Sequence, residues 1–255
     1  MEKRPLKTLD RVLSKAGVGS RVDARARIRD GRVKVNGQVV RDPDHWVDMK
    51  RDRVRLDGKP LEARQRTYVL LYKPTGYLTT YRDPQGRPTV YDLIADVGTF
   101  VSPVGRLDLD TSGLLLMTND NQLAERVTNP ASHVPKTYLV KASKVLTDAQ
   151  LKQLRDGVML ADGATRPARV RRVRDSEKYT HLEITLTEGR NRQVRRMIEA
   201  LDATVLKLVR VKIGPIAIGG LQIGKWRMLT DSEVRTLASS SGTLDVFRRV
   251  VTTQR

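Results

Sequence analysis

The chain has 255 residues, 39% of them hydrophobic, which is enough for one or two folded domains and too much for a wholly disordered chain. Its 48 Lys and Arg against 29 Asp and Glu leave a formal charge of +19, the balance of a protein that meets a polyanion. There is no Cys, so disulfides, thiol nucleophiles, Cys-ligated zinc and iron–sulfur clusters are excluded, and His45, His133 and His181 lie too far apart, without metal-ligand spacing, for a His-based metal site to be expected.

The first residues, Met1 to Pro5, have no apolar stretch behind them, and no run of 18 apolar residues occurs, so a cytoplasmic protein without a membrane partner is expected. Thr8 caps a predicted helix with Leu9, Val12, Leu13 and Ala16 on one face, and Gly17 ends it. Ser20 caps a second, with Asp23 placed to close a capping box and Gly31 after its end. Arg21, Arg25 and Arg29 recur every fourth residue on the outer face of that helix. The stripe is either a solvated face or a phosphate contact, and the lack of an acid at i±4 favours phosphate. Arg32 to Val35 and Gln38 to Val40 flank Asn36-Gly37, a strong hairpin signal, and Arg53 to Leu56 run into a turn at Asp57-Gly58. Residues 1–60 carry 17 Lys or Arg against 9 Asp or Glu, a nucleic-acid-binding balance.

Two stretches here carry a resemblance. Leu9-Asp10-Arg11-Val12-Leu13-Ser14-Lys15-Ala16-Gly17-Val18-Gly19-Ser20-Arg21, followed by Ile28 to Gly37, resembles the S4-like RNA-binding domain of a ribosomal protein and several RNA-modifying enzymes. The resemblance covers nearly all of residues 7–60. It implies structured RNA as the ligand and implies no chemistry.

After a polar hinge from Pro60 to Gln65, Thr67 to Tyr72 is a predicted strand ending at Lys73-Pro74-Thr75-Gly76. Val90 to Ile94 is read as a helical turn and Phe100 to Val104 as a strand. Gly105-Arg106-Leu107-Asp108-Leu109-Asp110-Thr111-Ser112-Gly113 then precedes the apolar run Leu114 to Met117, a buried strand. Two acids in such a loop are either a solvated turn or a carboxylate held at the mouth of a rigid element, and their spacing does not choose. A helix through Leu123, Ala124 and Val127, a strand at Lys136 to Val140, and a helix from a Thr147–Gln150 capping box to Gly157 follow. Short strands are expected in 158–172, an alternating strand through Leu182, Ile184 and Leu186, and a helix burying Val194, Met197, Ile198 and Leu201. Residues 204–211 form a further strand and Thr230 caps a last helix. The predicted domains are 1–61, 66–240 and a polar basic tail at 241–255.

Three motifs in the second domain strongly resemble the ribosomal-RNA pseudouridine synthases of the RsuA/RluB type. Gly105 to Asp108 with Asp110 to Leu115 matches the catalytic motif, Lys136-Thr137-Tyr138 a second, and Glu188 to Met197 a third, while Lys73-Pro74-Thr75-Gly76 matches the strand that opens the catalytic domain. The resemblance implies an α+β fold: a small S4-like domain, then a catalytic domain with a mixed, largely antiparallel sheet and flanking helices. It implies that Asp108 is the catalytic nucleophile, that Tyr138 stacks on the target base, and that Arg195 pairs with Asp108 and holds it ionised. Asp110 would support the loop and Arg106 would keep the nucleotide extruded. Lys73, Arg190 and Arg192 are expected, with the Arg21–Arg29 stripe, to contact RNA. The implied substrate is a uridine of ribosomal RNA, in the large subunit by resemblance of the third motif, with the small subunit as the alternative. A non-catalytic S4-type ribosome-binding protein would not need Asp108, Tyr138 and Arg195 together. A monomer is expected.

The chemistry suits those residues. Making pseudouridine breaks an N1–C1′ bond and makes a C5–C1′ bond with no redox change, so a carboxylate can serve as covalent catalyst without a cofactor. A stacked uridine must first be flipped out, and an aromatic face then holds it.

Overall fold

The computed structural model of the chain describes residues 6–61 and 65–240; the predicted hinge lies partly, and the predicted basic tail wholly, outside them. Two compact units emerge. Among the described residues, one comprises 6–61 and 65–68 with 94–102 and 117–121, the other 69–93, 103–116 and 122–240.

In the first unit, helix α1 (Leu9–Lys15) leads to α2 (Arg21–Arg29). Ser20 and Asp23 close the capping box, whereas the Thr8 hydroxyl donates to Asp10 Oδ1 at 2.6 Å and caps nothing. Strands β1 (Val33–Val35), β2 (Gln38–Val39), β3 (Val54–Leu56) and β4 (Lys59–Pro60) form an antiparallel sheet in the order β2-β1-β3-β4. Asn36 and Gly37 take the hairpin turn with φ of 52° and 89°. Alternation places Val33, Val35 and Val54 inward against Leu9, Leu13, Ala24 and Ile28, which make one apolar core.

The second unit is built on one sheet with the strand order β8-β9-β7-β10-β6-β5-β11. Its strands are β5 (Tyr68–Lys73), β6 (Ser112–Thr118), β7 (Lys136–Ala142), β8 (Arg169–Asp175), β9 (Thr180–Leu186), β10 (Val205–Ile213) and β11 (Trp226–Met228). The β6–β10 pair is parallel, while β7–β9, β7–β10, β8–β9 and β5–β11 are antiparallel. Helices α3 (Asn121–Thr128), α4 (Asp148–Asp156), α5 (Gln193–Glu199) and α6 (Asp231–Ser239) flank it. Leu151 and Leu154 of α4 and Val194, Met197 and Ile198 of α5 share a core with Val140, Leu182 and Ile184. The fold is the expected α+β arrangement, and among the described residues no helix is long and apolar enough to cross a membrane.

Two further local expectations change, and one strand is new. The helical turn expected over Val90 to Ile94 appears as a 3-10 turn at Ala95–Val97, because the Asp92 carboxylate takes the Thr89 N–H at 2.6 Å and forms its own turn first. Only Ser102–Pro103 of the strand expected at Phe100 to Val104 is extended and paired, since Pro103 brings no N–H to a ladder. Strand β11, short and half-exposed, had no clear pattern to announce it.

Candidate active site

The loop from Arg106 to Thr111 is held along its whole length by its own backbone carbonyls. Arg210 Nη1 donates to the carbonyl of Arg106 at 3.4 Å and the Thr79 hydroxyl to that of Leu107 at 2.7 Å. The Lys73 ammonium donates to the carbonyls of Asp108 and Thr111 at 3.0 and 2.9 Å. Gly76 N–H reaches the Leu109 carbonyl at 2.8 Å, and Arg195 Nη2 reaches that of Asp110 at 3.0 Å. Six consecutive carbonyls thus have donors from four separate parts of the unit. Such a loop is rigid before any ligand arrives.

Gly113, just past the loop, is required by the sheet. Its φ is +117°, and a Cβ there would collide with the backbone of Arg210, its partner in the parallel β6–β10 pairing. The glycine lets β10 close on the start of β6 and brings the Arg210 guanidinium, through Nε, to the Leu114 carbonyl at 2.8 Å.

Beside the loop lies a cleft of about 370 Å³. Asp108, Arg106 and Thr111 line it from the loop, Lys136 and Tyr138 from β7, Arg210 and Leu208 from β10, and Arg190, Arg192 and Gln193 from the start of α5. Tyr138 is half-buried and leans on the core beneath. Asp108 is half-buried, and among the described residues its carboxylate makes no hydrogen bond and no ion pair. Asp108, Tyr138 and the third motif therefore converge from distant parts of the chain on one cavity.

Arg195 does not pair with Asp108, as the resemblance implied. Its guanidinium is buried, bridges to Asp110 Oδ2 at 3.1 Å and also holds the carbonyls of Asp110 and Val205. Arg192 adds a second bridge to Asp110 at 3.3 Å. One acid of the pair is thus bound by two arginines, and the other is left open to the cleft.

Lys73 also departs from expectation. It is wholly buried, so it is out of reach of RNA; its ammonium is caged by the carbonyls of Pro74, Asp108 and Thr111. Burial, opposed by the nearby charges of Asp108 and Asp110, brings it from an ordinary 10.5 down to about 8. Arg190 lines the cleft, and its guanidinium also holds the carbonyls of Asp162, Gly163 and Ala164, pinning a short hairpin. Arg106 is exposed at the cleft.

On the first unit the arginine stripe is neutralised from outside its own helix. Arg21 donates to Asp10 Oδ2 through Nε and Nη2 at 3.1 and 2.7 Å, and Arg25 bridges Asp10 and Asp44 at 2.9 and 2.7 Å. Asp10 is fully buried, and although burial alone would raise it, Thr8, Arg21 and Arg25 bring it down to about 2. Spacing along α2 could not reveal acids supplied by α1 and the loop at 42–45. Arg29 stays exposed, and Lys34 and Arg55 face one another across β1 and β3, also exposed and without an acid among the described residues.

Sequence reading passed over Arg210. The available signal was a cation at the inward register of an apolar strand, sharing parity with Leu208. Lys73 gives the same signal, in step with the buried Val69 and Leu71. Thr79, between the predicted elements, gives none.

Compared with models of known families, residues 67–200 match the one described as RNA pseudouridylate synthase and residues 7–54 match the S4 domain. An uncharacterized RNA pseudouridine synthase of Aquifex aeolicus (strain VF5) is 43% identical, over 94% of this chain and 97% of the relative. Ribosomal large subunit pseudouridine synthase B of Bacillus subtilis (strain 168) is 39% identical, over 91% of this chain and 96% of its own. A solved crystal structure of a pseudouridylate synthase matches at 31% identity with a TM-score of 0.66, covering 90% of this chain and 99% of that one.

Proposed function

The chain belongs to the RNA pseudouridylate synthase family, with an S4 domain ahead of the catalytic one, and from that premise we propose that it isomerises a uridine of large-subunit ribosomal RNA to pseudouridine. It is an enzyme, and RNA is its partner. The large-subunit assignment is supported by the name and the 39% identity of the Bacillus subtilis relative. Ribosomal RNA places its work in the cytoplasm, and an isomerisation without redox change asks for no cofactor. We take a single chain as the working unit.

The observation that carries the residue roles is the contrast within the acid pair. Asp110 is bound by Arg192 and Arg195, whereas Asp108 presents an unengaged carboxylate from a loop with every carbonyl fixed. Asp108 is the nucleophile in this reading. A carboxylate with no hydrogen bonds to give up can attack C1′ or C6, or assist elimination at the ribose, without first losing partners. Tyr138 stacks on the flipped uracil across the cleft, and Arg106 lies at the rim where the extruded nucleotide enters. Arg195 acts one step removed, as a clamp on the Asp110 end of the loop.

The test is conversion of an rRNA fragment by the purified chain, read by pseudouridine mapping, and by the same mapping of rRNA from cells with and without the gene. Asp108→Asn should give no product while RNA affinity stays within about twofold, because an uncharged isostere keeps the contacts and removes only the nucleophile. Product from that variant would remove Asp108 from the chemistry. A pseudouridine missing from small-subunit RNA in the deletion strain would overturn the choice of subunit.

A further inference from the structure

Lys136, Tyr138 and Arg210 share one face of the central sheet. Lys136 and Tyr138 are two residues apart on β7, and Arg210 of β10 is the cross-strand partner of Tyr138. All three line the cleft with Asp108. Neither cation has a carboxylate partner among the described residues. Lys136 Nζ donates once, to the Val127 carbonyl at 3.0 Å, and keeps two N–H groups unused. Arg210 is buried, spends Nε and Nη1 on the carbonyls of Leu114 and Arg106, and leaves Nη2 unpartnered. Two poorly hydrated cations side by side cost stability, and burial together with the Arg210 charge brings Lys136 down to about 8. The fold gains no ion pair in return, which is the mark of a site arranged for something outside the chain.

The chemistry names what that is. When the N1–C1′ bond breaks, its electron pair stays with the ring and spreads onto the carbonyl oxygens O2 and O4; attack at C6 would likewise place charge on O4. A uracil stacked on Tyr138 has its carbonyl edges beside the neighbours of Tyr138 on the same face. We propose that Lys136 is a catalytic residue, its ammonium donating to a carbonyl oxygen of the flipped uracil and holding the negative charge the ring takes on, with Arg210 behind it adding to the field. The step is balanced: the pair released from N1–C1′ is matched by the pair that forms C5–C1′, C5 gives up a proton, N1 gains one, and Lys136 keeps its own. A phosphate is the less suitable occupant. The walls around Lys136 are Val127, Leu186 and Ile213, whereas the exposed cations Arg106 and Arg192 stand at the rim where a backbone would run.

This rests on the roles given to Asp108 and Tyr138, and conversion by the wild-type chain is the control that carries that reading separately. The experiment uses the full chain and an rRNA fragment it converts, with the target uridine replaced in turn by 2-thiouridine and 4-thiouridine, since sulfur is a poor hydrogen-bond acceptor. Lys136→Met should lower the single-turnover rate about 100-fold or more, the usual loss for one donor to a developing anion, with RNA affinity little changed. Lys136→Arg should recover part of it and shows that the fold tolerates the site. One thio substitution should slow the wild-type chain and have no further effect on Lys136→Met. If Lys136→Met instead weakens RNA binding and leaves the saturated rate intact, Lys136 grips phosphate and the proposal is wrong. Equal thio effects on wild type and variant would overturn it as well.

Discussion

Replacing Lys73 with Met sets two opposed energies against each other. The ammonium is wholly buried, and its fall from 10.5 to about 8 means that keeping it charged at neutral pH costs the folded chain about 3 kcal/mol, which the methionine recovers. Against this, the carbonyls of Pro74, Asp108 and Thr111 lose a donor at 3.0, 3.0 and 2.9 Å, at about 1 kcal/mol or more each when buried. The terms nearly cancel, so the melting temperature should move by only about 5 °C or less. Activity shares in no such cancellation. The Asp108 and Thr111 carbonyls are the central anchors of the loop, and misplacing a reacting group by about 1 Å costs on the order of 100-fold. Thermal unfolding and single-turnover pseudouridine formation, measured on the same samples, separate the two. The sign with pH is also set: between about 8 and 10.5 the unfolded chain holds a proton that the folded chain has released, so wild-type stability gains from rising pH in that window. The variant should lack that gain. Activity that falls only in proportion to the folded fraction, or does not fall at all, would refute the role of the cage.

Three further outcomes follow from other parts of the fold. Gly113→Ala should destabilise the second unit by about 3 kcal/mol or more in urea unfolding, because the methyl meets the backbone of Arg210 at a left-handed φ. Asp10 contributes stability that is present above its ordinary 3.8 and lost as pH falls towards about 2, so wild type should lose an acid-range increment of stability that Asp10→Asn, already weaker at neutral pH, does not. Replacing Lys34 and Arg55 together with Gln should shrink the slope of log affinity against log salt by about 1.5 through two lost phosphate contacts, whereas Arg21→Gln should lower the melting temperature more than the slope. A slope unchanged in the double variant would mean that this face meets only solvent.

The parts of the fold legible in the sequence are those written by local rules. The capping boxes at Ser20, Thr147 and Thr230, the Asn36-Gly37 hairpin and the alternation through Leu182, Ile184 and Leu186 all stand where periodicity and capping chemistry put them. What local reading could not reach is the partner of a charge. Asp10 and Arg21 are eleven residues apart, Lys73 and Asp108 thirty-five, and Arg210 and Arg106 over a hundred, so no spacing rule announces them. One cation expected on the RNA face, Lys73, is instead buried and spent on backbone carbonyls. Asp108 itself was marked by its place before an apolar strand, but that it alone of the two acids is unengaged needed Arg192 and Arg195 in space.

These long-range pairings have a common design that bears on catalysis. Lys73, Arg195 and Arg210 each direct donors at carbonyls of the loop or strand around Asp108, and none of them bonds to its carboxylate. If Asp108 is the nucleophile, as proposed, a direct ion pair would fix the side chain too, but it would occupy the carboxylate oxygens and would have to break in every turnover. Gripping the main chain instead gives the loop its geometry and surrounds the acid with positive potential while leaving both oxygens free. Asp110 binds Arg192 and Arg195, and in the proposed reading this keeps their guanidiniums from competing for Asp108. Removing the Asp110 carboxylate should therefore harm the reaction in a particular way, by releasing arginines onto the nucleophile rather than by subtracting a catalytic group.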